Sequence, residues 1–423
     1  MKESILHFIW QNKLFQSHSL HTTDGDSVEV IDPGRLNTDA GPDFFNAKIK
    51  LGNTIWAGNV EIHTRSSEWA KHGHSDDKAY NSVVLHVVKT ADAQVFRTNG
   101  EPIPQLELIY PAGIEENYAQ LMKNSLRIPC ENKIANVPVI FIRSWKNALL
   151  TERLLRKTAN ISEILKQNNR HWEEAFYLNL ARSFGFGTNG QAFEMLAASL
   201  PMQILGKHKN SLPQLEALLF GQAGLLAANE EDAYLLSLRK EYDFLKIKYD
   251  LKPIDGSLWK LLRLRPDNFP YVRIAQFAAL IHKSTGLFSK ITENPDIQYL
   301  QSIFRVEPSE YWKTHYRFAH ESQKLLKGIG QKAIEGIIIN TVVPFLFSYA
   351  DTRGNQIMKD KAVEILEKLP AENNVITRMW HEMGVASESA FDSQALIQLK
   401  KEYCDNRNCL RCRIGHKVLT IDS

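Results

Sequence analysis

The chain has 423 residues, of which 43% are hydrophobic and 23% charged, and a formal net charge of +3. These proportions fit an ordinary globular protein with room for two or three domains, each with a full core. They exclude a strongly basic overall field, so a nucleic-acid partner would have to be met by local patches.

The first residues, Met1-Lys2-Glu3-Ser4-Ile5-Leu6-His7-Phe8, carry an acid early and no long apolar core, so no signal peptide is expected. Residues 4–16 space Ile5, Phe8, Ile9 and Phe15 as a helix does. Val28-Glu29-Val30-Ile31 predicts a short strand ended by the turn sequence Asp32-Pro33-Gly34. Residues 44–51 alternate, and Gly52-Asn53 predicts a hairpin turn into a strand over residues 54–63. Residues 66–81 are helix-compatible, with a break near His72-Gly73-His74. Residues 83–88 are almost continuously apolar, as in a strand covered on both faces. Val95-Phe96 and residues 106–109 can add further strands. The order is helix, three strands, helix, strand.

Pro129, Cys130 and Pro138 mark a boundary, and from Trp145 onward amphipathic helical windows dominate. The expected division is therefore an α/β domain over 1–128, a large all-α domain over 139–400 and a Cys-rich metal-binding tail over 401–423. The most apolar stretch, residues 334–350, is interrupted by Glu335, Asn340 and Pro344; it reads as a buried helix, and no membrane partner is expected. Three of the four cysteines crowd one short segment, unlike a secreted disulfide framework, which points to a cytoplasmic protein.

The residues that point most directly at chemistry are Asp43, Glu61 and His63, within Gly41-Pro42-Asp43-Phe44 and Asn59-Val60-Glu61-Ile62-His63. Strand side chains alternate faces, so Glu61 and His63 share one face while Val60 and Ile62 take the other. Asp43 and Glu61 are hard oxygen ligands suited to magnesium or manganese. His63 can orient a water, contact a phosphate oxygen or ligate a transition metal. The structural alternative is that Asp43 caps a turn and Glu61 is a solvated strand residue.

This arrangement resembles the PD-(D/E)XK nuclease superfamily, whose core is an α-β-β-β-α-β unit. Pro42-Asp43 stands for its first motif and Glu61-Ile62-His63 for its second, with Glu3 as the counterpart of an assisting acid in the first helix. The departure is His63, where the superfamily normally has lysine. The resemblance implies a PD-(D/E)XK-like domain over 1–128 and a metal-dependent nuclease that hydrolyses phosphodiester bonds in DNA or RNA. It also leaves open a catalytically inactive scaffold or nucleic-acid-binding protein. More broadly, residues 41–44, 58–63, 69–74 and 81–88 and the terminal cysteine segment are similar to an uncharacterised bacterial family catalogued as a domain of unknown function.

His63, His72, His74, Asp76, Asp77 and His86 form a second candidate set, for zinc, iron or manganese. A His-ligated metallohydrolase would require His63 and His72 or His74 to meet at one point. For His86 the competing reading is a core histidine satisfied by one hydrogen bond. Cys404-x4-Cys409-x2-Cys412 is a metal spacing that needs a fourth ligand, either Cys130 or the local His416. Structural zinc is the simpler assignment. The plan also resembles that of bacterial recombination and CRISPR-adaptation nucleases, which implies a 4Fe-4S cluster, although those place the lone cysteine before the nuclease core.

Nucleic-acid surfaces are sought in three places. Residues 327–333 resemble the hairpin of a helix-hairpin-helix. Arg143, Lys146, Arg153, Arg156 and Lys157 form one basic stretch. Lys260, Arg263, Arg265 and Arg273 form another, interleaved with Trp259, Phe269 and Tyr271. Each is also what a solvated helix face looks like. The helical part would guide a strand or recruit a protein partner that the sequence does not identify.

Overall fold

The computed structural model describes residues 3–227, 231–284, 286–322 and 328–420. The chain divides into two compact units, one of residues 1–145 together with 399–423 and one of residues 146–398. The cysteine segment thus belongs to the same unit as the sheet.

The first unit opens with α1 (Glu3–Gln11), which buries Ile5, Leu6, Phe8, Ile9 and Trp10. It stops before Phe15 because Lys13 takes φ 50° and Leu14 turns its amide back to the Ile9 carbonyl. Phe15 keeps its apolar role from the loop by stacking on Trp10 at 5.5 Å. The sheet follows: β1 (Leu20–His21), β2 (Ser27–Asp32), β3 (Arg35–Leu36), β4 (Phe44–Leu51), β5 (Thr54–Arg65), β6 (Val83–Thr90) and β7 (Gln105–Glu107). Its order is β1-β2-β4-β5-β6-β7, with β3 paired to β4.

Strands β2, β4 and β5 run antiparallel, and Leu51 faces Thr54 across the Gly52-Asn53 turn, where Gly52 has φ +56°. Strand β6 instead pairs parallel to β5, placing Glu61 beside His86 and His63 beside Val88. A parallel pair needs a crossover, and here residues 66–82 provide it. The helix-compatible stretch, expected to break near His72-Gly73-His74, is one turn, α2 (Glu68–Lys71), and a 3-10 stretch at Lys78–Ser82. Gly73 at φ +76° breaks the run, and the Asp77 side chain caps the Ala79 amide.

Val83, Leu85 and Val87 of β6 are fully buried, each worth about 1.5–3 kcal/mol relative to exposure. Trp69 of α2 packs with Val83, Val95 and Ile103, which pins the crossover to the sheet. Helix α3 (Ala112–Lys123) then meets the chain terminus, where Asn117 donates to the carbonyl of Leu419 in α4 (Arg413–Thr420). Arg407 donates to the carbonyls of Met122 and Asn124 at 2.5 and 2.9 Å. These bonds close the end of α3, whose last carbonyls have no helical donor.

The second unit is built of helices, among them Trp172–Phe184, Gly190–Ala198, Leu212–Gln222 and Pro270–Lys283, with one small hairpin of β8 (His315–Arg317) and β9 (His320–Glu321). The helix Gln331–Thr352 is long and apolar enough to cross a membrane by length and composition, and 72% of its most apolar window is buried inside the protein. It contains a π-turn at Ile338–Val342, just ahead of Pro344. Proline lacks the amide that would reach the Asn340 carbonyl, so the ladder widens there.

Candidate metal centre

The 37–43 turn is set by Asn37, whose Nδ2 donates to the carbonyls of Asp39, Ala40 and Pro42 while its own amide donates to the Asp43 carbonyl at 2.7 Å. Gly41 at φ +104° lets the chain make this loop. Asp43 thereby enters β4 against Glu61. Its amide donates to Glu61 Oε2 at 3.0 Å, and its Oδ2 accepts from the Ile62 amide at 3.0 Å. The two carboxylates lock each other's strand, and Glu61, only 5% exposed, is not a solvated residue.

The other Glu61 oxygen faces histidines. His74 Nε2 lies 3.3 Å and His63 Nε2 3.6 Å from Glu61 Oε1. His63 Nε2 is also 3.1 Å from His72 Nδ1. The ligand nitrogens of His63, His72 and His74 all fall within 4.8 Å of one another, the one such group among the described residues. Donors about 2.1 Å from a zinc ion sit about 3.0–3.5 Å apart, close to these separations. The condition that His63 meet His72 or His74 is therefore fulfilled by both.

Each histidine has a local cause. Residues two apart on β5 put Glu61 and His63 on one face. His72 ends α2, and the left-handed Gly73 folds the chain so that His74 returns over the same face. The His74 ring stacks on Tyr80 at 3.7 Å. His86 neighbours Glu61 in the sheet and places Nε2 2.9 Å from His63 Nδ1. A neutral imidazole carries one proton, so if His63 donates from Nδ1 to His86, its Nε2 lone pair faces His72, His74 and Glu61. Outer partners of this kind orient metal-binding imidazoles.

Burial dominates the electrostatics. It pushes the Glu61 carboxyl up to about 9, with the Asp43 charge adding to the rise. It pulls His63 down to about 4, helped by the neighbouring His74 and His72, and His86 down to about 3. Near pH 7 His63 and His86 are neutral, the form that ligates metals. His63 therefore cannot stand in for the positive charge of a lysine.

One participant, His7, was not legible as a site residue, and Glu3, expected as an assisting acid of the first helix, lies beside it. His7 Nε2 lies 3.2 Å from Asp43 Oδ2. Glu3, one helical turn earlier, has its carboxyl raised by burial and by the charges of Asp43 and Glu68. The Glu3/His7 spacing of four residues is the only sequence signal, since it puts both on one face of α1. Asp76 and Asp77 do not share in the nitrogen cluster.

In the same unit, Cys130 lies within reach of the charges of the triplet, although no three of the four sulfurs fall within 4.8 Å of one another. Burial and then the charges of Cys412 and Cys409 push its thiol up to about 12, and burial with Cys130, Cys412 and Cys409 raises Cys404. Cys409 rises to about 11, by burial and then Cys412. None of the four is in a disulfide. His416, the alternative fourth ligand, instead packs edge-on against Phe8 at 5.1 Å.

The family described as "Protein of unknown function (DUF2851)" matches residues 3–375. The chain belongs to DUF2851. The matched region takes in the whole sheet, the histidine crossover and most of the helical unit. It stops short of the terminal cysteine segment, which the sequence had grouped with that similarity. No curated protein and no solved structure matches this DUF2851 chain.

Of the expected nucleic-acid surfaces, several cations are engaged internally. Lys146 donates to the Ala386 carbonyl and pairs with Asp392; Arg153 donates to Gln394. Arg273 is buried and donates to Gln276 and Asn268. Of the 327–333 hairpin, Lys327 lies outside the described residues, and Gly330 precedes the helix Gln331–Ile337.

Proposed function

We propose that the sheet unit of this DUF2851 chain is a metal-dependent hydrolase of phosphodiester bonds in DNA or RNA. The observation that carries this is the convergence of His63 Nε2 and His74 Nε2 on one oxygen of Glu61, with His72 beside them. Three imidazoles and a carboxylate fit manganese, iron or zinc better than magnesium, which favours all-oxygen sites. The expectation of magnesium or manganese at Asp43 and Glu61 is thereby sharpened toward an ion that accepts nitrogen.

The phosphodiester substrate rests on the PD-(D/E)XK-like reading, which is supported by the order α1, β2, β4, β5, α2, β6 once the two-residue strands β1 and β3 are set aside, and by Asp43 and Glu61 lying on adjacent strands. A bound ion would polarise the phosphate and lower the pKa of a water. Glu61 would hold that ion together with His63, His72 and His74. Asp43, fixed by the Ile62 amide and by His7, would orient the attacking water, and Glu3, which feels the Asp43 charge, would take up its proton. A separate metal centre, zinc or 4Fe-4S, at Cys130, Cys404, Cys409 and Cys412 is a second reading, supported by the cysteine spacing and by the effect of the four thiols on one another, and it would require the sulfurs to draw together on the metal.

The test is a cleavage assay on single- and double-stranded DNA and RNA with magnesium, manganese or zinc, with metal analysis of the same preparation. Cleavage is expected with manganese or zinc, falling by roughly 10²-fold or more in both Asp43→Asn and Glu61→Gln. Cleavage that survives both substitutions would sink the assignment. Absence of cleavage and of bound metal would instead favour a fold kept for scaffolding or nucleic-acid binding.

A further inference from the structure

The helical unit contains a cavity of about 1020 Å³ that the hydrolase reading does not use. We propose that it binds a nucleotide unit, either a free nucleotide or a link of a single nucleic-acid strand.

Charge is the first argument. Lys157, Arg182 and Lys260 line the cavity against one carboxylate, Glu372. That carboxylate is already engaged by the side chains of Asn340, Ser393 and Gln394. Lys157 comes from the first basic stretch of the sequence and Lys260 from the second, 103 positions apart by their numbers. Their meeting at one cavity, while Lys146, Arg153 and Arg273 turn inward, gathers positive charge there, with Lys157 held by Asn340 and Arg182 paired with Glu194.

The second argument is the loop Gly185-Phe186-Gly187-Thr188-Asn189-Gly190. It joins the helix Trp172–Phe184 to the helix Gly190–Ala198, and its Phe186, Gly187 and Thr188 line the cavity. Gly187 has φ +85°, and a Cβ on Gly185 would sit 2.3 Å from the Gly190 nitrogen, so the backbone is folded tightly on itself. Asn189 makes no side-chain cap to the following helix. Its amide instead grips the Lys260 backbone, donating to the carbonyl at 3.0 Å and accepting from the amide at 2.8 Å. The first-turn amides are thus left without an N-cap side chain, in a wall that also carries cations, which is the electrostatic setting for phosphate. The glycine spacing coincides with a dinucleotide fingerprint but lies between two helices, so it does not indicate that fold.

The third argument is Phe186. It holds φ 41°, costly for a bulky side chain, and is 38% exposed at the cavity wall. The Arg273 guanidinium lies 4.2 Å from its ring centroid. Arg273 is 7% exposed, and its Nε has no hydrogen-bond partner among the described residues. A ring presented to a cavity and backed by a buried cation is a stacking platform for a base. The amides of Asn160, Asn179 and Asn373 in the same wall supply donors and acceptors for base edges. Asn340, in the π-turn, accepts from Lys157 at 3.3 Å and so couples the basic wall to the distorted helix.

The experiment is equilibrium binding to the full-length chain with EDTA present, so that hydrolysis plays no part. The probes are fluorescent 12-mers of oligo-dT and oligo-U and fluorescent mononucleotides, over a salt series. Binding by one probe class identifies the source of the nucleotide unit. Lys260→Gln should weaken it and flatten the slope of log affinity against log salt by about 0.7 for one lost phosphate contact. Lys260→Arg should restore the slope. Phe186→Leu should weaken binding between about fivefold and a hundredfold. Circular dichroism melts confirm that each variant is folded. The inference is overturned by no binding, or by binding indifferent to Lys260 and Phe186. Competition by inorganic phosphate without any dependence on Phe186 also overturns it. Cleavage without this binding would reject the cavity and leave the hydrolase standing; binding without cleavage would do the reverse.

Discussion

Each unit buries a glutamate, and the two are finished differently. Glu216 in the helical unit is fully buried and accepts hydroxyl hydrogen bonds from Ser309, at 2.8 Å, and Tyr234. Burial raises its carboxyl to about 7 against the pull of those donors. Glu61 in the sheet unit receives one backbone amide and otherwise faces imidazole nitrogens and the charge of Asp43, and it rises to about 9. A carboxylate closed by hydroxyls needs nothing more. One ringed by lone pairs and a second carboxylate needs a proton or a cation. Burial alone therefore does not mark a functional acid; the chemistry of its neighbours does.

The largest expected difference between the two is the response to metal. Manganese or zinc added to EDTA-treated protein at 100 times Kd should stabilise the wild type by about 2.7 kcal/mol, read as a rise in Tm. Glu216→Gln should keep that rise and Glu61→Gln should lose it. An equal response in both variants would erase the comparison.

Metal-free protein sharpens it through pH. The folded pKa of Glu61, about 9, stands above the ordinary 4.5. Its contribution is full below pH 4.5 and is lost as pH climbs toward 9. His63 is lowered from 6.5 to about 4, so its contribution is full above 6.5 and is lost as pH falls toward 4. Between pH 7 and 8.5 the histidine no longer titrates in either state, and Glu216 is past its folded value. Stability should then fall with rising pH by up to about 1.4 kcal/mol per unit, and Glu61→Gln should flatten that limb. Glu216→Gln should act only at lower pH, between 4.5 and 7. Chemical denaturation across the range checks both windows.

A smaller effect is expected one shell out. His86→Asn removes the 2.9 Å partner of His63 Nδ1 without touching the convergent nitrogens. Metal affinity should drop about 10- to 100-fold, measured by competition with a chelator. An unchanged affinity would leave His86 as a core histidine and nothing more.

How much of this was legible in the sequence follows the range of the interactions. The hairpin at Gly52-Asn53 and the shared face of Glu61 and His63 follow from local turn chemistry and a period of two. The break at His72-Gly73-His74 follows from the glycine, but the shortness of the helix on either side does not, because composition does not weigh a parallel crossover anchored by Trp69. The approach of His7 to Asp43 is tertiary, set by how α1 lies on the sheet, and no spacing encodes it. Likewise the two basic stretches looked equivalent residue by residue. Only packing sends Arg153 to Gln394 and leaves Lys157 and Lys260 at a cavity.

The finest test substitutes one glycine in each unit. Gly73, between His72 and His74, has φ +76°, and Gly384, past the helix Val375–Glu382, has φ +79°. A Cβ at either would meet nothing within 4 Å, so alanine introduces backbone strain and no clash. Each substitution should cost about 1 kcal/mol of stability, a nearly matched pair in a melt. Only Gly73→Ala should also weaken metal binding, because the turn that relaxes there carries two of the three convergent imidazoles. If both variants bind metal as the wild type does, His72 and His74 hold their places without the turn, and the centre is organised from β5 alone. If only Gly73→Ala loses affinity, a single left-handed residue in the crossover is what converts three scattered histidines into a ligand set.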